Sequence, residues 1–120
     1  MANSGKKGLS RIISAAGYSW QGVCAAWQNE EAFRQEIVIC AVMIPLGFFL
    51  AETRMEAAML VGSVMLLPIV EILNSSIEAT IDRIGLERHE LSARAKDMGS
   101  AAVTMTIIFV ATIWLLLLMP

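Results

Sequence analysis

The chain has 120 residues, 57% of them hydrophobic, and a mean hydropathy of +0.65, far too apolar for a soluble domain of this size. One compact unit fits this length, and a net charge of −2 offers no electrostatic footprint for nucleic acid. Cys24 and Cys40 cannot build a metal site alone and read as reduced packing residues rather than a disulfide.

The first thirty residues alternate small, polar and apolar positions without a continuous apolar run, so no cleavable signal peptide is expected. Instead, Leu9, Ile12, Ile13, Ala16, Trp20, Val23, Cys24 and Trp27 fall within about 60° of one helical line, with Arg11, Ser14, Tyr18, Gln21 and Ala25 opposite. This predicts an amphipathic helix over about 8–28, lying on the cytoplasmic leaflet with its tryptophans at headgroup depth. Gly17 and Gly22 suggest that it bends or packs closely on something.

Three apolar segments follow. Residues 37–51 and 57–70 are uncharged runs of 15 and 14 residues, and 98–119 is one of 22. A span needs about 18–20, so the first two suffice only if their helices continue past charge, through 33–36 and through 71–82. Three membrane-spanning helices over about 31–51, 56–83 and 97–119 are expected, in a single integral-membrane unit covering 1–120. Pro45 and Pro68 are tolerable there; Pro68 frees the Val64 carbonyl one turn before Glu71, which reads as a kink. Lys6, Lys7, Arg11, Arg34, Arg83, Arg88, Arg94 and Lys96 fall on one side of these spans and only Arg54 on the other. The N-terminus and the 83–97 loop are therefore expected in the cytoplasm and the C-terminus outside.

The stretch VEILNSSIEATID, 70–82, breaks the apolar pattern. On a helix, Glu71, Asn74, Ser75, Glu78 and Asp82 lie within roughly ±60° of one line. A polar stripe on an intramembrane helix points to a functional site, since a carboxylate there costs several kcal/mol unless paired or bound to a cation. The competing reading is a charge network that ties helices together. Glu71 and Glu78 are about 10 Å apart along the helix, too far to share one metal. Glu71, the deeper, would reach a group arriving from the lipid; Glu78 could hold a divalent ion with a carboxylate from elsewhere, such as Glu30. Oxygen-only ligands of this kind suit Mg²⁺, which takes one or two carboxylates plus phosphate oxygens.

Further on, RHELSARAKDMGSAAV places Lys96 and Asp97 where the last apolar run begins, with Gly99 and Ser100 behind them. A helix N-terminus beside a lysine would seat a phosphate; the plainer version has Asp97 as N-cap and Lys96 snorkelling. His89 reads as a solvated loop residue. There is no GxxxxGK[ST], no protein-kinase motif set, no His/Cys metal cluster and no serine nucleophile elbow.

EILNSSIEATID, with AKDMGSAAV downstream and AAGYSWQGVCAAWQNEEAFRQE upstream, resembles the prokaryotic diacylglycerol kinase family over essentially the whole chain. The resemblance implies an all-α membrane fold: a surface helix plus three transmembrane helices, assembled as a homotrimer with active sites between subunits in the bacterial cytoplasmic membrane. It implies transfer of phosphate from ATP, with Mg²⁺, to the 3-hydroxyl of diacylglycerol. Glu71 matches the general base, and Glu30 and Glu78 the carboxylates that bind Mg²⁺. Arg11, Tyr18, Glu87, Arg88, His89, Lys96 and Asp97 match nucleotide-binding positions. Asn74 matches a residue supporting base and substrate; Ala32, Phe33, Arg34, Gln35, Glu36 and Ser100 match the lipid side. Ser14 departs from the pattern, standing where a second basic residue is expected one turn after Arg11. Related chains act on undecaprenol with the same acid set, and a small proton-coupled transporter would also carry membrane glutamates, but nearer mid-bilayer and with no use for Mg²⁺ or ATP.

Overall fold

The computed structural model describes Gly5 and residues 7–120; Lys6, one of the basic residues counted above, lies outside the described residues. Four α-helices follow one another: α1 Leu9–Asn29, α2 Glu31–Leu50, α3 Arg54–Ile84 and α4 Glu90–Leu118. The last three are long and apolar enough to cross a membrane. As expected, the helices do not stop at charge. α2 begins at Glu31, and α3 runs through the whole polar stripe to Ile84 with Pro68 inside it.

Local chemistry sets the ends. Thr53 caps α3, its Oγ1 accepting from the Glu56 N–H at 3.1 Å, while Glu56 Oε2 accepts from the Glu52 N–H at 2.8 Å. This is close to a capping box. α4 starts at Glu90, because His89 Nδ1 accepts from the Leu91 N–H at 3.0 Å. His89 is thus a cap rather than a merely solvated residue. Between α1 and α2 the chain breaks at Glu30, which is extended, with φ −119° and ψ 105°. Arg34 holds that corner: its Nη1 donates to the Trp27 carbonyl at 2.6 Å and to the Gln28 carbonyl at 3.4 Å. These are carbonyls that the end of α1 would otherwise leave without partners.

α3 is the central helix, with α2 and α4 both packed on it. The core is Cys40, Leu60, Val64, Leu67, Val110 and Trp114. Trp114 reaches across α3, its Nε1 donating to the Leu60 carbonyl at 3.1 Å. Gly47 of α2 packs at the same level, where a Cβ would stand 3.2 Å from Val61 and 3.3 Å from Leu60, so the missing side chain lets α2 lie close against α3. The chain is only 21 Å thick against 50 and 42 Å in the other directions, so large apolar side chains such as Phe48, Phe49, Met105, Ile108 and Leu116 face outward. Water would not tolerate that surface; lipid or another subunit would. Both cysteines are free thiols.

α1 lies apart from this layer. Trp20, Val23, Cys24 and Trp27 line a cavity of 320 Å³ with Phe33 and Ile37, so the apolar line of α1 meets the start of α2. The glycines do not mark close packing: a Cβ at Gly17 or Gly22 would meet nothing within 4 Å. Trp114→Phe, which keeps the ring and removes the donor, should lower stability by about 0.6–1.7 kcal/mol, read as an earlier transition on titration with SDS in mixed micelles.

Candidate active site

The polar stripe of α3 faces its neighbours in the bundle rather than lipid. Glu71, Asn74 and Ser75 are buried, Glu78 is half-buried and Asp82 is exposed, so the stripe descends from the surface into the protein. Asn74 Nδ2 donates to Glu78 Oε1 at 3.2 Å, one turn apart on the same face. The Asn74 amide oxygen points at Gly99 of α4, where any Cβ would run into it. Gly99 is therefore what lets α4 close over Asn74. The sequence placed Gly99 behind Lys96 and Asp97 at an expected helix start; its partner Asn74, on another helix, was not legible there.

Acidic groups gather around Glu71. Its carboxylate feels the charges of Glu78 and of Glu30, which the break between α1 and α2 turns toward α3. Glu36, buried on α2, feels Glu71 in turn. Among the described residues, the buried side-chain polar atoms without a hydrogen-bond partner are Glu36 Oε2, Asn74 Oδ1 and Ser75 Oγ, all in this one region. Buried polar atoms are normally satisfied, and these three would be satisfied by a water, an ion or a ligand brought to this place. No three His, Cys, Asp or Glu side chains form a ready metal cage among the described residues. Two carboxylates, Glu30 and Glu78, suit a Mg²⁺ that takes its remaining oxygens from phosphate and water.

Two clefts open on the outer part of the stripe. One, of 340 Å³, lies between α1 and α3 and is lined by Gly22, Ala25, Asn29, Glu30, Ser75 and Ser76, among others. Arg11 and Tyr18 continue the same face of α1, each seven residues before the next along the line 11, 18, 25. The other, of 250 Å³, lies under the α3–α4 loop and brings together Asp82, Glu87, Arg88, His89 and Lys96. Lys96, in the second cleft, feels the Glu78 carboxylate as well as that of Asp82.

The structure redraws several expectations. Lys96 and Asp97 do not open α4: the helix has already run two turns from Glu90, so no free N–H groups stand there to seat a phosphate and Asp97 is no cap. Lys96 does not snorkel either; its Nζ is paired with Asp82 Oδ1 at 2.9 Å. That partnership of the stripe's last acid was not anticipated, although Asp82 follows Glu78 by one turn. Of the residues matched to the lipid side, Phe33 and Glu36 point inward, Ala32, Gln35 and Ser100 are exposed, and Arg34 is occupied with the α1 corner.

Residues 17–118 match the family described as prokaryotic diacylglycerol kinase. The sequence is similar to the diacylglycerol kinase of Escherichia coli K12, at 55% identity over 98% of this chain and 96% of that protein. It is 48% identical to that of Haemophilus influenzae over 89% of this chain and 91% of the relative. For Pseudomonas aeruginosa the identity is 47%, over 96% and 94% respectively. A buried glutamate at the foot of a polar stripe, two flanking carboxylates and a match across nearly its full length lead to one conclusion: the chain belongs to the prokaryotic diacylglycerol kinase family.

Proposed function

We propose that this chain transfers the γ-phosphoryl group of ATP to the hydroxyl of diacylglycerol, giving phosphatidate and ADP at the cytoplasmic face of the bacterial inner membrane. The observation that carries this is the gradient along α3, from buried Glu71 through half-buried Glu78 to exposed Asp82. A lipid headgroup entering from the bilayer meets the first, and a water-soluble nucleotide meets the others. Phosphoryl transfer asks the protein mainly for positioning and charge neutralisation, with one base to orient the attacking hydroxyl.

Glu71 is the general base. It takes the proton from the lipid hydroxyl as that oxygen forms its bond to the γ-phosphorus and the bond to the β-phosphate oxygen breaks. Glu30 and Glu78 would hold Mg²⁺, and Asn74 keeps Glu78 in line through its 3.2 Å hydrogen bond. When bound, Mg²⁺ would neutralise charge on the phosphate oxygens. Arg11 and Tyr18 on α1, Glu87, Arg88 and His89 in the loop, and Lys96 and Asp97 on α4 embrace the nucleotide. Glu36, buried beside Glu71, and the 32–35 segment with Ser100 border the lipid. The family resemblance implies a homotrimer with sites completed between subunits, and the outward-facing apolar surface leaves room for both lipid and neighbouring subunits. The basic residues of the loop at 83–97 favour a cytoplasmic site and an outside C-terminus.

The test is transfer of labelled γ-phosphate from MgATP to diacylglycerol and, separately, to undecaprenol, by purified protein in lipid-doped micelles. Phosphatidate is the expected product. Labelled undecaprenyl phosphate alone would change the lipid and keep the acid set, and no transfer by folded protein would move the reading to a transporter. Glu71→Gln should abolish kcat while leaving MgATP binding near normal; Glu78→Gln should raise the KM for MgATP as well. Equal effects of both variants on both substrates would contradict the division of roles. Gly99→Ala should push Asn74 off Glu78 and lower kcat/KM for MgATP by about tenfold, with little further loss when added to Asn74→Ala.

A further inference from the structure

The two proline-containing helices meet at a point that the site does not use directly. Pro68 has no N–H, so the Val64 carbonyl has lost its helical partner. That carbonyl is buried where no water can replace the missing donor, in a residue with 0% exposure. Cys40 of α2 supplies one instead: its Sγ lies 3.7 Å from the Val64 carbonyl oxygen, and Cys40 itself is 7% exposed. A thiol is a small apolar group with a weak S–H donor, suited to an apolar interface that must satisfy one carbonyl. Among the described residues this is the side-chain hydrogen bond that joins α2 to α3.

Its place in the fold gives it a consequence. Glu71 follows Pro68 by three residues, one turn on. On α2, Glu36 precedes Cys40 by one turn and feels the charge of Glu71. The two helices run in opposite directions, so the tie sits just beneath the level where Glu36 and Glu71 face each other. We propose that Cys40 is a positioning residue for Glu71: by donating to the carbonyl that Pro68 leaves free, it keeps α3 from opening further at that turn and so fixes the direction in which the Glu71 carboxyl meets the lipid hydroxyl. Helix bends arise where a proline interrupts the backbone ladder, and here the thiol stands in for the donor that the interrupted carbonyl has lost. The inference rests on the reading of Glu71 as the base, and its test separates the two.

Cys40→Val keeps the volume and removes the donor, Cys40→Ser keeps a donor, and Pro68→Leu returns the backbone N–H to Val64. Steady-state kinetics on each, with diacylglycerol and MgATP in mixed micelles, should show Cys40→Val lowering kcat about fivefold with the KM for MgATP unchanged. Cys40→Ser should stay within about twofold of the parent. Pro68→Leu added to Cys40→Val should recover most of the loss, which a variant that merely misfolds would not do. Equal losses for Val and Ser, or no recovery with Pro68→Leu, would overturn the proposal. The S–H infrared stretch in a Cys24→Ala background reads the contact without turnover: it should lie at lower frequency than in the same chain denatured, and an unshifted band would also overturn it. Retained turnover in Glu71→Gln would instead remove the base reading, leaving the infrared band to score the contact itself.

Discussion

A carboxylate buried in the middle of an apolar helix is the constraint on which the rest of this protein depends. Glu71 is 6% exposed, and lipid alone could not hold it there. α3 meets this by making Glu71 the deep end of a stripe of polar side chains that runs out to exposed Asp82. α2 and α4 then cover the stripe from both sides, Glu36 on one and Gly99 on the other. Such a site is costly to build from a single chain, and the orphaned polar atoms at Glu36, Asn74 and Ser75 show that the cost is not fully offset within it. A ligand that brings hydrogen-bonding groups and positive charge to this place would be held in proportion to what it relieves.

The second carboxylate depends on a corner. Glu30 belongs to neither α1 nor α2, and the extended backbone at that residue swings it toward α3. Arg34 keeps the corner by donating to the last carbonyls of α1. Its charge is thus spent on the geometry of the site more than on any direct contact. At the other end, the loop from α3 to α4 turns on Gly85 and the His89 cap, which brings Lys96 back alongside Asp82. Both corners lie at the same end of the bundle, where the basic residues concentrate, so the exposed end of the polar stripe is flanked by chain reversals and its buried end by neighbouring helices.

Carbonyl groups of α3 hold the membrane-spanning layer together. In lipid there is little hydrophobic force between helices, so packing and a few polar contacts decide how they associate. Leu60 accepts from Trp114 of α4 and Val64 from Cys40 of α2. Gly47 and Gly99 let α2 and α4 come close enough for core contacts on both flanks. The central helix is therefore fixed on both sides within a few turns of its catalytic candidate.

Much of this was legible in the order of the residues. Hydropathy marked three spans, and the stripe at Glu71, Asn74, Ser75, Glu78 and Asp82 followed from helical spacing, because helix geometry is a local property with a fixed period. The start of α4 was misplaced by seven residues, since Lys96 and Asp97 marked a fall in polarity and the cap at His89 is a matter of one side-chain hydrogen bond. By itself, then, the sequence determined the class of protein, the number of long helices and the face of α3 that carries the polar stripe. Only the tertiary structure decided that Lys96 pairs with Asp82, that Gly99 makes room for Asn74, that Arg34 staples the α1 corner and that Cys40 answers the carbonyl freed by Pro68. Each of these joins residues of different helices, and no periodicity along one helix encodes which residue of another will stand opposite it.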